Sequence, residues 1–274
     1  MKDHQIKFGA EVYTWYMNGN GSTHIGKLGH MIEITAQAGF NGIEPIHYWM
    51  GDLKDPIKLK DKLAEYNIEL AAVALCLKWN DSSLTSQEKI ETFETIEILR
   101  HFPGAKLCLV QIPTGRHDIV QRRKLLLDHM HWTASQAAQQ GIASTFHPNS
   151  PHHSITRTLE DYTYLLESLD PSICGWTPDV GHIINGGMDP LLIMKKYKSL
   201  INHVHYKDWD GQPEFALMGR GGVDFKGITQ WLKEINYNGW IICEDEGNEA
   251  IENPDQVTLH DGTWVKDNLI NILK

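Results

Sequence analysis

The chain has 274 residues, 41% of them hydrophobic, and a formal net charge of −10 before its 15 histidines are counted. That length can bury a full core and suits one large α/β domain. An acidic balance with no Lys/Arg stripe argues against nucleic acid as the main partner, and no run reaches the ~18 apolar residues that a membrane span needs.

The opening MKDHQIKFGAEVY has neither the apolar core nor the small-residue cleavage site of a signal peptide, which predicts a soluble, cytoplasmic protein. Short apolar runs then alternate with amphipathic stretches. Strands are expected at 8–13 (FGAEVY), 41–46 (NGIEPI), 69–75 (ELAAVAL), 105–112 (AKLCLVQI), 142–147 (IASTFH), 173–179 (ICGWTPD), 201–207 (INHVHYK) and 240–245 (WIICED). Helices are expected between them. Asp55-Pro56 and Asp189-Pro190 put a cap before a first-turn proline. Thr85 with Glu88, and Thr158 with Asp161, have capping-box spacing. Asp118 and Asp224 are candidate caps for the helices after them. Gly39 and Gly141 stand where helix gives way to strand. A last helix is expected over 255–273, although Gly262 sits inside it.

Eight such strands alternating with helices predict a parallel sheet with crossover helices. At this length the natural closure is a single (β/α)8 TIM barrel over residues 1–274. The rival is an open doubly wound sheet. It usually carries G-x-G-x-x-G after its first strand, and MNGNGSTHIG (17–26) lacks that spacing. Cys76, Cys108, Cys174 and Cys243 each sit in an apolar strand-like run, without zinc-knuckle or disulfide spacing, and read as buried reduced thiols.

The run INHVHYKDWDG (201–211) carries the strongest chemical signal. Alternation along a strand places His203, His205 and Lys207 on one face and Val204 and Tyr206 on the other. Helices cover the outer face of a parallel barrel, so the polar set points inward, toward the end where such enzymes do chemistry. A single inward histidine is often a hydrogen-bonded core residue. Three such groups without partners would cost on the order of several kcal/mol. Other strand ends repeat the theme, with Asp179 and His182 in TPDVGHI, Glu244 and Glu246 in IICEDE, Thr145 and His147 in STFHPN, and Glu44 in GIEPIH. Asp, Glu and His at neighbouring strand ends form a donor set for a divalent metal. Trp15, Trp49, Trp79 and Trp209 are candidate apolar walls for sugar rings, with core packing as the equal alternative.

Taken in order, GIE (42–44), PDVGH (178–182), HVHYKD (203–208), GRGGVDF (219–225) and GWIICE (239–244) resemble the xylose isomerase-like barrel superfamily, nearest its sugar phosphate isomerase/epimerase group and their inosose dehydratase relatives. The resemblance spans essentially the whole chain. It implies a divalent cation (manganese, cobalt, magnesium or zinc) held by a middle-strand glutamate, an aspartate, a histidine and a final glutamate. Carried onto this chain, the last three are Asp179, His205 and Glu244. His182 matches a histidine that supports a ligand or touches substrate. Lys207 and Arg220 fall in stretches that reach substrate oxygens, and Glu44 in one that shapes the pocket. His203 and Trp15 are further candidate substrate contacts. Relatives reading E-T-H-P-N would align with TFHPN (145–149), which puts Thr145 where the ligand glutamate belongs. His147 is then the candidate fourth ligand. Water in the gap and a weakened site are the alternatives.

The resemblance also implies a sugar or cyclitol substrate. The first expectation is isomerisation or epimerisation of a keto-sugar through an enediolate, with Glu244 exchanging the proton next to the carbonyl and His147, His182 and Lys207 assisting. A two-carboxylate relay would lack its second member at Thr145. Dehydration of an inosose- or dehydroshikimate-type substrate needs one base and one acid, and is the second expectation. A sugar-binding barrel without catalysis is the third. A DNA-repair endonuclease on a related barrel conflicts with the acidic balance. Whether the substrate is phosphorylated stays open, with Arg220 as a candidate contact. Symmetric association is common among enzymes of this size, so a homo-oligomer is allowed.

Overall fold

The protein is described here by a computed structural model covering residues 6–18, 23–211 and 215–274. The first five residues of the opening and part of the glycine-bearing stretch 17–26 lie outside the described residues. The strands in chain order are β1 (Ile6–Glu11), β2 (Gly42–Glu44), β3 (Glu69–Leu70), β4 (Ala72–Leu77), β5 (Lys106–Gln111), β6 (Ser144–His147), β7 (Cys174–Trp176), β8 (Val204–Tyr206), β9 (Asp208–Trp209), β10 (Phe215–Ala216) and β11 (Gly239–Cys243). The chain folds as two compact units, residues 1–71 with 204–274, and residues 72–203.

The first unit is built on a five-stranded parallel sheet in the order β3-β2-β1-β11-β8, with β9 and β10 as a short antiparallel pair. Alternation does what the sequence predicts on β8: Val204 and Tyr206 are buried on one face, where the Tyr206 ring lies 4.9 Å from that of Phe225 and its hydroxyl 2.8 Å from Thr229 Oγ1 on the helix Phe225–Glu234. Trp240 packs with Ala71 and Ile242, and a Cβ on Gly42 would come within 2.5 Å of that indole, so the close approach requires glycine. The second unit carries a four-stranded parallel sheet in the order β4-β5-β6-β7, cored by Val73, Leu75, Leu107, Leu109, Phe146 and Trp176.

All eight expected strand regions form strands, with one correction. The third, 69–75, is two strands: β3 pairs with β2, the Ala71 N–H goes to Ile43 O, and β4 pairs with β5. A uniform apolar run hides such a change of partner. Most helix signals act as expected. The Asp55 carboxylate accepts from the N–H groups of Ile57 and Lys58, Asp189 caps at Leu192 and Asp224 at Gly227, and both capping boxes close. Asp118 does not cap: it is left-handed, with φ 48°, and its side chain accepts no helix bond. The last helix is Pro254–Asn268 followed by Ile270–Leu273, and Gly262 lies where a Cβ would sit 2.1 Å from Ala38 O. That contact explains a glycine inside the helix. The four cysteines are free thiols, three buried and Cys76 partly so. No helix among the described residues is long and apolar enough to cross a membrane.

Candidate metal and active site

Each unit gathers polar groups at the C-terminal ends of its parallel strands. In the first, Glu11 ends β1 and Glu44 ends β2, and the two are direct partners in register. Glu244 follows β11, its N–H donating to Tyr206 O at 3.0 Å. His205, central in β8, meets Glu44 Oε2 through Nε2 at 3.2 Å and Glu244 Oε2 through Nδ1 at 3.3 Å. Lys207 is fully buried, with Nζ 3.1 Å from Glu244 Oε1, in contact with Glu246, and 4.9 Å from the Phe215 ring centroid.

The electrostatics follow from that crowding. Burial, then repulsion from Glu244 and Glu44, raises the Glu11 carboxyl well above its ordinary value. Burial alone would lower the His205 imidazole, but Glu44 and Glu244 outweigh it and lift it to about 10. Burial and Glu244 raise Glu246 to about 8 against the pull of Lys207. The Tyr13 phenol, buried beside Glu246 and Glu244, is also raised.

In the second unit, His147 ends β6 and Asp179 lies three residues past β7, where it caps the helix Val180–Asn185. Asp179 Oδ1 accepts the His182 N–H at 2.7 Å, and Oδ2 lies 3.4 Å from His147 Nε2. The His182 ring is held through Nδ1 by Ser150 Oγ at 2.8 Å and stands edge-on to the His147 ring, with centroids 5.5 Å apart. Thr145 is fully buried, and its hydroxyl pairs with that of Thr177 at 2.6 Å. No carboxylate stands at that position.

Some expected residues lie elsewhere. Arg220 is exposed and pairs with Glu249 at 3.3 Å, beside a surface cleft that Asp210, Phe215 and Glu252 also line. Trp15 is fully buried with Nε1 on Asp255 Oδ1 at 2.7 Å, which is core packing rather than an open wall. Trp49 is likewise buried and stacks on Tyr16. His203 is buried just before β8, at the last residue of the second unit. Sequence reasoning missed Glu11 and Ser150. The signal for Glu11 was present, an acid at the end of an apolar strand as in GIE. Ser150 offered none.

The donors suit a divalent metal. His147 and Asp179 offer ligand atoms within 4.8 Å of each other, and so do His205 and Glu244. Imidazole nitrogen with carboxylate oxygen is the mixture that zinc, manganese and cobalt accept. Glu44 and Glu244, both buried against the His205 imidazole, offer carboxylate oxygens that such a cation would accept.

The model of the xylose isomerase-like TIM barrel family matches residues 32–268. The chain belongs to that family. It carries the family's α/β barrel fold and is an enzyme of this kind. An inosose dehydratase of Clostridium beijerinckii is 28% identical to it, over 85% of this chain and 86% of the relative. The IolI protein, solved with a zinc atom bound, superposes with a TM-score of 0.76 at 17% identity, covering 98% of both chains. A D-allulose 3-epimerase of Methylomonas sp., in complex with D-allulose, gives 0.73 at 19% identity, over 96% of this chain and 97% of that one.

Proposed function

We propose that the protein is a metal-dependent dehydratase of a keto-cyclitol or closely related keto-polyol, with His147, Asp179, His205 and Glu244 as the ligands of one divalent cation. A bound cation would supply Lewis-acid polarisation of the ketone oxygen.

The reading rests chiefly on Thr145. Epimerisation needs a proton exchanged on both faces of one carbon, and so two bases. The position that would hold the second carboxylate holds a hydroxyl locked to Thr177 at 2.6 Å. Elimination needs one base and one acid. Glu244 takes the proton α to the ketone, oriented and charge-balanced by Lys207 at 3.1 Å. His182, fixed by Ser150 through Nδ1, gives a proton through Nε2 to the departing β-hydroxyl, which leaves as water. Where the α-carbon bears a hydroxyl, the product is an enol that tautomerises to a 1,2-diketone. Glu44 holds His205 at 3.2 Å, so that its ring keeps one orientation. The C. beijerinckii relative, named an inosose dehydratase, supports the same reaction class.

Incubation with a keto-inositol should produce the conjugated product, seen as growing ultraviolet absorbance, while ketohexoses are returned unchanged. Steady C3 epimerisation of a ketohexose with no loss of water from keto-inositol would replace this reading with an epimerase.

A further inference from the structure

The 20-residue helix Ile119–Ala138 opens after Asp118, whose φ of 48° turns its backbone left-handed. Asp118 does not cap it, and no acid stands in its first turn. Three arginines gather there instead. Arg116 and Arg123 are neutralised by Asp161, and Arg123 also by Glu160.

Arg122 is not neutralised. It is only 9% exposed, and its guanidinium folds back over the loop that leads into the helix. Nη1 lies 3.2 Å from His117 Nε2, and Nη2 donates to Thr114 Oγ1 and Asn80 Oδ1. Nε is buried without a protein partner. Thr114 Oγ1 donates in turn to Asn80 Oδ1 at 2.7 Å. No carboxylate among the described residues pairs with this cation. A buried guanidinium with no carboxylate partner near the start of a helix is a charge arrangement that an external anion completes. Asn80 and His117 are exposed, so the cluster extends to the protein surface.

We propose that Arg122, Thr114, His117 and Asn80, with the start of this helix, form a phosphate-binding subsite. Asn80 follows β4, and Thr114 and His117 follow β5, at the strand ends from which His147 also extends in this unit. The ligand is therefore the phosphate of a polyol phosphate or free phosphate. Either makes charge-assisted hydrogen bonds to the guanidinium. The site is separate from the residues given to catalysis and does not depend on the reaction proposed above.

Calorimetric titration with inorganic phosphate, in chloride buffer, tests it. The full-length protein should bind phosphate. Arg122→Gln should weaken binding about tenfold or more, as expected for loss of a charge-assisted contact. Thr114→Val, at a half-buried loop position, serves as the second variant and should weaken binding several-fold. Asp179→Asn should bind as the parent does, which separates this site from the candidate cation. An inositol monophosphate binding more tightly than inorganic phosphate would identify the ester as the source, and equal affinity the free ion. No binding at millimolar phosphate, or equal binding by the parent and both variants, overturns the proposal.

Discussion

Glu244 stands among the side chains that the first unit brings to its strand ends: His205 at 3.3 Å, Lys207 at 3.1 Å, and Glu11, whose carboxyl is raised by burial and then by repulsion from Glu244. Glu244→Gln keeps the shape and removes the base. Turnover should fall by about 10²–10⁴, the range expected for a general base, with the far-ultraviolet circular dichroism unchanged. Parent-like turnover would remove Glu244 from that role. Thr145→Val should leave Thr177 Oγ1 without its buried partner and cost about 1–3 kcal/mol in chemical denaturation. Legibility was uneven at this scale. The alternation of His203, His205 and Lys207 predicted a shared polar face because period two is a property of any strand. The pairing of Arg220 with Glu249 could not be read, since it depends on how the loop at 220 folds against the short helix Asn248–Glu252. The burial of Trp15 against Asp255, 240 residues away in sequence, was equally invisible.

The most consequential polar junction among the helices is Asp161. It caps the helix Leu159–Ser168 through Thr158 and accepts hydrogen bonds from Arg116 at 2.8 Å, Arg123 Nε at 2.8 Å and the Arg157 N–H at 3.0 Å. Burial alone would raise its carboxyl. The bonds from Arg116, Thr158 and Arg123 outweigh burial and hold it below the usual aspartate value. Asp161→Asn leaves two arginines short of a counter-charge and should destabilise the protein by about 3–5 kcal/mol near neutral pH. The depressed value fixes the direction with pH. The stabilisation is complete above the ordinary aspartate value near about 4, and is lost as pH falls through the lower folded-state value. The gap between parent and variant in urea midpoint should therefore narrow on acidification below that point. A constant gap would mean that the charge is not what stabilises the junction. The sequence showed the box, because Thr158 and Asp161 are three apart. It did not show that the box acid also gathers arginines from a loop and a neighbouring helix.

For the molecule as a whole, eight strand regions and their helices were legible because each apolar run is bounded by caps and glycines that act locally. The division of 69–75 between β3 and β4 was not, since partner choice is decided by tertiary contacts. The candidate cation belongs to this scale, because its proposed donors are spread along the chain from residue 147 to residue 244. A ligand bound only by the folded chain stabilises it by mass action, by about 2.7 kcal/mol at one hundred times its dissociation constant. Chelation should therefore lower the melting temperature by several degrees, and zinc or manganese should restore it. The most direct test is an anomalous difference map from crystals grown with zinc or manganese. One strong peak bonded at once to His147, Asp179, His205 and Glu244 is expected. A peak held by only one of the two pairs, or no peak at either, would contradict the proposal.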